Sequence, residues 1–121
     1  VKNGIAGMLE NVPREKLIGG VPFYTRLWTE AGDGTITSKA MGIAEEKRWV
    51  DNNQVELTWQ ADTAQYYGEV QTSDGAQFLW MEEERSLKEK MNVIRQNDLA
   101  GVACWKLGFE DSAAWDSIQW N

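Results

Sequence analysis

The chain reads as an α+β unit in which two buried, parallel-type strands are separated by an inserted helix and a small antiparallel sheet. Three features predict this. Two nearly continuous apolar runs, LIGGVPFY at 17–24 and LAGVACW at 99–105, have the composition of strands covered on both faces. Between them, VELTWQ at 55–60 alternates strictly, as a half-exposed strand does. Two further stretches, 66–71 and 76–82, flank the turn signal Thr72-Ser73-Asp74-Gly75 and predict an antiparallel hairpin.

The elements follow in order. Ile5, Met8, Leu9 and Val12 are spaced i, i+3, i+4, i+7, one face of a helix that ends before Pro13. The first apolar run comes next, although Pro22 counts against a central strand. From about residue 29 to residue 84 the character changes. Gly32-Asp33-Gly34 signals a turn, and Ala40, Ile43, Ala44 and Val50 suggest a helix ahead of the three predicted strands. Ser86-Leu87-Lys88-Glu89 reads as a capping box with Ser86 as N-cap; Leu87, Met91 and Ile94 give that helix its buried face, and Asn97-Asp98 ends it. A final short helix from Ser112 is expected to bury Trp115 and Ile118. The expected division is 1–28, 29–84 for the inserted domain, and 85–121.

Composition narrows the function classes. With 121 residues, 42% hydrophobic and 26% charged, the sequence suits one globular unit. A formal net charge of −7 argues against a nucleic-acid partner or an anionic membrane surface, both of which need clustered Lys and Arg. No apolar run approaches the roughly 20 residues that cross a bilayer, and the basic-then-apolar pattern of a signal peptide is absent, so an export signal is expected upstream. The single cysteine, Cys104, excludes an intrachain disulfide and reads as a buried small apolar residue. The lack of any histidine excludes Ser-His or Cys-His nucleophiles, and neither a zinc site nor a cofactor is expected. Seven tryptophans suit stacking on sugar rings, although most are expected to pack the interior.

The order helix, buried strand, α+β insertion, helix, buried strand, helix resembles the end of a family 18 glycoside hydrolase, the chitinase-like (β/α)8 barrels. Pro22, Tyr24 and Arg26 fill the P-x-Y-x-R pattern of that family's seventh strand. Trp105 ends the run resembling its eighth strand, where a tryptophan forms the floor of the sugar site. PFYTRLW at 22–28 and WMEEERS at 80–86 are similar to the bacterial spore-germination and cortex-lytic type, with Glu83 where W-x-E-D-E-x-S has Asp. WKLGFE at 105–110 resembles the same type.

The resemblance implies the last two strands and helices of a TIM barrel carrying a chitinase-type insertion domain. It implies a substrate of β-1,4-linked N-acetylglucosamine polymers, in peptidoglycan of the spore cortex or in chitin, and a parent exported to the cell wall or spore envelope. Tyr24, Arg26 and Trp105 would contact that glycan; from composition alone Trp105 would be a core plug. Two apart on one strand, Tyr24 and Arg26 project to the same face. Trp28 and Glu30 either form a cleft wall or pack the insertion, and Glu110 either lies on the rim below Trp105 or does not face the sugar. The family signature D-x-x-D-x-D-x-E, which holds the catalytic acid, has no counterpart in the sequence, so that acid is expected upstream and the segment is expected to be inert. A carboxylate pair within Glu82-Glu83-Glu84 is the weaker alternative, because adjacent strand-end acids are usually a solvated rim. Asp111 and Asp116 read as capping and surface charges. The other function class is a carbohydrate-binding domain without chemistry. Unpaired edges on two barrel strands predict a homodimer in which residues 17–24 and 99–105 pair with each other and with a second copy.

Overall fold

In the computed structural model, which describes residues 1–120, the chain forms a mixed α+β fold with two sheets. The elements are α1 (Lys2–Leu9), β1 (Ile18–Pro22), β2 (Tyr24–Glu30), β3 (Ile36–Gly42), α2 (Ile43–Asn52), β4 (Thr58–Gln60), β5 (Gln65–Thr72), β6 (Gly75–Trp80), α3 (Glu84–Gln96), β7 (Gly101–Trp105) and α4 (Ser112–Ser117). No described helix is long and apolar enough to cross a membrane.

The two apolar runs do pair with each other. β1 and β7 form a parallel ladder from Ile18 opposite Gly101 to Pro22 opposite Trp105. The first run is not one strand, however. Pro22 has no N–H to extend a ladder, the chain turns at Phe23, and Tyr24 begins β2 in a second, five-stranded antiparallel sheet of order β3-β2-β6-β5-β4. β2 therefore crosses the expected boundary at residue 28 and carries Arg26, Trp28 and Glu30 into that sheet. The predicted hairpin is β5–β6, with Thr72 opposite Gly75 around a two-residue turn, and it ends at Trp80.

Several local expectations shift. Ala40 lies in β3 opposite Arg26, and α2 starts only at Ile43, after the extended Gly42. The strand expected at 55–60 shortens to 58–60, because the Val55 N–H bonds back to the Val50 carbonyl (3.0 Å) at the end of α2. The capping box of α3 is displaced by three residues. Glu83 is the N-cap, accepting the N–H groups of Arg85 and Ser86, while the Glu83 N–H donates to the Ser86 hydroxyl (2.9 Å). In α4 the buried residues are Ala114 and Ser117. Trp115 is 45% exposed, its ring edge-on to Phe23, and Ile118 is half-buried. Asp111 caps α4 as expected, accepting the Ala114 N–H (2.9 Å). α1 buries no residue fully; Ile5 and Leu9 lean on the core while Met8 faces outward.

Two apolar clusters hold these layers. Val21, Phe23, Ile43, Leu87, Met91, Ile94, Leu99 and Ala114 pack the parallel pair against α3 and α4. Leu27, Met41, Leu79 and Met81 pack one face of the five-stranded sheet against Trp49 and Val50 of α2. Gly42 stands where the units meet. A Cβ there would lie 2.9 Å from the Phe109 carbonyl oxygen and 3.0 Å from its Cα, and the adjacent Ile43 N–H donates to that carbonyl (2.7 Å).

The run Glu82-Glu83-Glu84 is not a solvated rim. Glu82 is almost fully buried, accepting Lys90 Nζ at 2.7 and 2.8 Å and the Ser86 hydroxyl at 2.7 Å. Lys47 of α2 bridges Glu84 (2.7 Å) and Asp111 (2.6 Å), tying α2 to the starts of α3 and α4. Glu46, next to Lys47, is completely buried, and neither of its carboxyl oxygens has a hydrogen-bond partner among the described residues. Burial, reinforced by the charge of Glu82, pushes the Glu46 carboxyl up to about 10. It is therefore protonated in the folded chain at neutral pH.

Unfolded, Glu46 ionises near its ordinary value of 4.5, whereas folded it keeps its proton to about 10. Between these values the folded state binds more protons, so the contribution of Glu46 to stability is lost as pH rises, by up to about 1.4 kcal/mol per pH unit. The difference in stability between Glu46→Gln and the parent chain should grow in favour of the variant from pH 5 to pH 9, read as urea midpoints; parallel profiles would contradict a neutral, buried Glu46. Separately, Gly42→Ala should destabilise the chain by about 1–3 kcal/mol in the same assay, since the neighbouring atoms are backbone and cannot swing aside.

Candidate functional site

The site is built where the two sheets meet. Trp105 is the last residue of β7, its ring is 67% exposed, and its peptide bond to Lys106 is cis. Pro22, its neighbour across the parallel ladder, ends β1. These two strand ends and Tyr24 line an open groove of ≈ 450 Å³, together with Gly20, Val21, Ala103 and Cys104. Tyr24 is steered into the groove by the turn at Phe23, whose side chain is fully buried and whose N–H donates to the Trp105 carbonyl (2.6 Å). The Tyr24 ring lies 6.2 Å from that of Phe109, on the loop that follows Trp105.

Tyr24, Arg26, Trp28 and Glu30 occupy one face of β2, while Thr25 and Leu27 point into the sheet's packed face. Thr25 donates its hydroxyl to the Trp80 carbonyl, which pins β2 to β6 from behind. Arg26 is exposed and held along the sheet by Ser38 of β3, donating from Nε to the hydroxyl (2.9 Å) and from Nη2 to the carbonyl (3.4 Å). Trp28 is half-buried opposite Phe78, and Glu30 is exposed at the strand end. Glu110 stays local: its Oε2 accepts the Gly108 N–H (2.7 Å) and so closes the turn after Trp105.

Of the residues anticipated from sequence, then, the structure brings Tyr24 and Trp105 together in the groove. It sets Arg26, Trp28 and Glu30 along the strand leading away from it. Glu110 does not line the groove. Sequence reasoning missed Tyr67, Phe78 and Trp80, which share the open face with Trp28 through the register Trp28–Phe78 and Trp80–Tyr67. The available signal was the spacing of Phe78 and Trp80, two apart on one predicted strand and so on one face, within a hairpin read only from its turn residues.

The polar or reactive side chains of this groove are the Tyr24 phenol, the Cys104 thiol and the Trp105 indole. Burial raises the Cys104 thiol above its ordinary value, which leaves it protonated and poorly nucleophilic near neutrality. No carboxylate lines the groove, and Glu82, Glu83 and Glu84 are engaged with Lys90, Ser86 and Lys47 instead. Among the described residues no group of three acidic or cysteine side chains could hold a metal ion. The groove thus offers an exposed indole and a phenol at strand ends, with the Arg26 guanidinium further along β2, groups able to stack on and hydrogen-bond a neutral polyhydroxylated ligand.

Comparison with known proteins places this geometry. The family model of glycosyl hydrolases family 18 matches residues 2–110. Among curated proteins, the chain is 25% identical over 117 residues to the cortical fragment-lytic enzyme of Bacillus subtilis, covering 95% of this chain and 27% of that protein. It is 24% identical over 110 residues to putative chitinase 1 of Margaritifera margaritifera, covering 86% and 24% respectively. In solved structures the fold is similar to the spore cortex-lytic enzyme SleL of Bacillus megaterium, with a TM-score of 0.86 at 22% identity, over 98% of this chain and 28% of that one. It is also similar to a chitinase from Chromobacterium violaceum, with a TM-score of 0.82 at 22% identity, over 93% and 34%. The chain thus spans about a quarter to a third of the length of these relatives. Matched by that family model over most of its length, the chain belongs to the glycosyl hydrolases of family 18.

Proposed function

We propose that this chain is part of a family 18 hydrolase of β-1,4-linked N-acetylglucosamine polymers, in spore-cortex peptidoglycan or chitin, and that it builds the floor and one wall of the substrate cleft. The observation that carries this reading is the groove in which Trp105 and Tyr24 meet at the ends of β1 and β7. Both strands run in parallel and end at the groove, and enzymes of the (β/α)8 type place their sites at the C-terminal ends of parallel strands. In this reading β1 and β7 are the last two strands of such a barrel, and the five-stranded sheet is its insertion. Trp105 stacks on a sugar ring, Tyr24 and Arg26 hydrogen-bond the same glycan, and Trp28 and Glu30 continue the wall.

The chain binds and orients, and the proton comes from elsewhere. No D-x-x-D-x-D-x-E spacing occurs in the 121 residues, and the buried acids are committed to packing, so the general acid belongs to chain outside this segment. The names of the similar cortex-lytic proteins support the cell wall or spore envelope as the place of action.

Turnover of N-acetylglucosamine oligomers tests the reading, with the full-length gene product beside this segment. The full-length protein should cleave and the segment should not. In the full-length protein, Trp105→Ala and Arg26→Ala should each lower kcat/KM by about 10- to 100-fold, roughly 1.4–2.7 kcal/mol of transition-state binding. Binding of oligomers by the full-length protein without any cleavage would instead favour a carbohydrate-binding domain, and cleavage by the segment alone would return attention to Glu82, Glu83 and Glu84.

The isolated segment should also self-associate. Among the described residues the parallel sheet has two strands, each with a free edge, and its surface exposes Ile18 (59%) and Trp105 (67%). Sedimentation should give a dimer mass; a monodisperse monomer would contradict an interface between copies of β1 and β7.

A further inference from the structure

Directly after Trp105 the chain makes one tight turn, and that turn is fastened on several sides. The Phe109 N–H donates to the Lys106 carbonyl (3.0 Å), and Gly108 takes the positive φ (96°) that this kind of turn needs at its third position. Glu110 Oε2 accepts the Gly108 N–H (2.7 Å), while the Phe109 carbonyl accepts the Ile43 N–H (2.7 Å) from the start of α2. The turn presents the exposed Lys106 beside the exposed indole. The Lys106 ammonium lies 4.8 Å from the centre of the Phe109 ring, a cation–π distance that favours a place for the long side chain on the turn. Phe109 is in its turn 6.2 Å from the ring of Tyr24, which lines the groove. Ammonium, phenyl and phenol are thus successive neighbours at the groove's edge.

That ammonium is uncommitted. Among the described residues the ion pairs engage Arg14, Lys39, Lys47 and Lys90, and none involves Lys106. The acids nearest to it in sequence are occupied: Glu110 with the Gly108 N–H, and Asp111 with Lys47 and the cap of α4. No carboxylate lines the groove itself. The other cation of the candidate site, Arg26, is turned along the sheet to the hydroxyl and carbonyl of Ser38. In a chain of net charge −7, then, the edge of this one groove carries a free cation with no acid to cancel it. Such a local reversal of sign favours a ligand bearing a negative charge at that edge and discriminates against one that is neutral there.

We infer that Lys106 is the residue by which this site distinguishes an acid-bearing glycan from a neutral one, its ammonium receiving the carboxylate of a muramyl unit next to the sugar stacked on Trp105. Peptidoglycan differs from chitin in that alternate sugars carry a lactyl ether. That ether ends in a carboxyl group, either free or joined to a peptide with carboxylates of its own. A lysine ammonium suits such a ligand, because a compact charge with three donors takes a carboxylate from many directions and needs no planar match. The inference rests on the proposed function for the glycan and deepens it, since it selects the peptidoglycan type over chitin and assigns the selection to one side chain.

The test uses the full-length gene product and a glycan of alternating N-acetylglucosamine and N-acetylmuramic acid in three forms: lactyl acid free, lactyl acid amidated, and lactyl acid joined to alanine. The unsubstituted protein should have a higher kcat/KM on the free acid than on the amide. Lys106→Gln should lower that ratio by about three- to fivefold, the range of one exposed charge pair, and Lys106→Arg should keep it. In the unsubstituted protein the same ratio should fall as salt rises from about 0.02 to 0.2 M, which screens the pair. Whichever of the free-acid and alanyl forms loses more to Lys106→Gln carries the carboxylate that is bound. A ratio left in place by both Lys106→Gln and salt, in a protein that cleaves these glycans, overturns the role of Lys106 and leaves the proposed function standing. Cleavage of chitin oligomers alone does the same. A full-length protein that cleaves none of these polymers removes the proposed function and the role of Lys106 together. Should Lys106→Gln disturb the turn and lower the melting temperature, the salt series on the unsubstituted protein still decides.

Discussion

One backbone hydrogen bond organises the site: the Phe23 N–H to the Trp105 carbonyl. Pro22 immediately before it cannot donate, so the parallel ladder of β1 and β7 would lose its last rung at the point where the chain must also change sheets. The Phe23 amide supplies that rung. Its side chain, completely buried between α3, α4 and Ile43, fixes the turn from the other side. With the chain held at both ends of one residue, Tyr24 has a single exit direction and begins β2 against the groove. The proximity of Tyr24 to Trp105 is therefore a consequence of backbone accounting at Pro22 and Phe23, and needs no direct contact between the two side chains.

The buried acids show a different kind of constraint. Glu82 loses its water but gains an ammonium and a hydroxyl, an arrangement that offsets much of the desolvation. Glu46 gains nothing of the sort, and the cheapest state open to it is the neutral one. Ionising both carboxyls would place two like charges in one low-dielectric interior, so the protonation of Glu46 and the ion pair of Glu82 with Lys90 are linked. Ionising Glu46 would therefore weaken the packing of α2 beside the start of α3. Lys47, the next residue on α2, provides the polar fastening at the rim through Glu84 and Asp111.

How much of this was legible in sequence depended on how each element is solvated. The runs at 17–24 and 99–105 were visible as continuous apolar traces, and their mutual pairing followed, although the both-face burial such a trace suggests is not found: β1 alternates between buried and exposed residues and β7 buries none fully. The hairpin was visible because its turn residues are specific. β3 left no trace: an edge strand of sequence ITSKAMG needs few apolar positions, and five of its seven residues are not buried. The capping box was misplaced because Ser86 and Glu89 satisfy the usual pattern, while Glu83 and Ser86 satisfy it in reverse, with the acid as N-cap and the hydroxyl at N3. The burial of Glu46 was invisible, since GIAEEKRW reads as a solvated, charged helix start. In the site, Tyr24 and Arg26 could be set on one face from strand periodicity, yet their relation to Trp105, some eighty residues later, came only through the family resemblance. Trp80 and Phe78 needed the observed register.

The orientation of Trp105 is set by more than its own strand. Beyond β7 the loop at 106–109 is anchored by the Phe109 carbonyl, which accepts the Ile43 N–H at the start of α2, and by close packing of Phe109 against Gly42. Two residues on, Asp111 is gripped by Lys47 from the next turn of the same helix while capping α4. The Phe23 amide holds the Trp105 carbonyl itself. All three fastenings come from β2's own entry turn or from α2, that is, from the boundary and body of the inserted unit. The segment between β1 and β7 therefore does more than flank the groove: its helix α2 and its Gly42 hold the segment that presents the indole. A ligand stacked on Trp105 and touching β2 would bridge two elements already joined through α2, so binding would have little relative motion left to freeze out. In the proposed glycan-binding role, that rigidity would let a site with few polar contacts hold a flexible ligand without a large loss of conformational freedom in the protein.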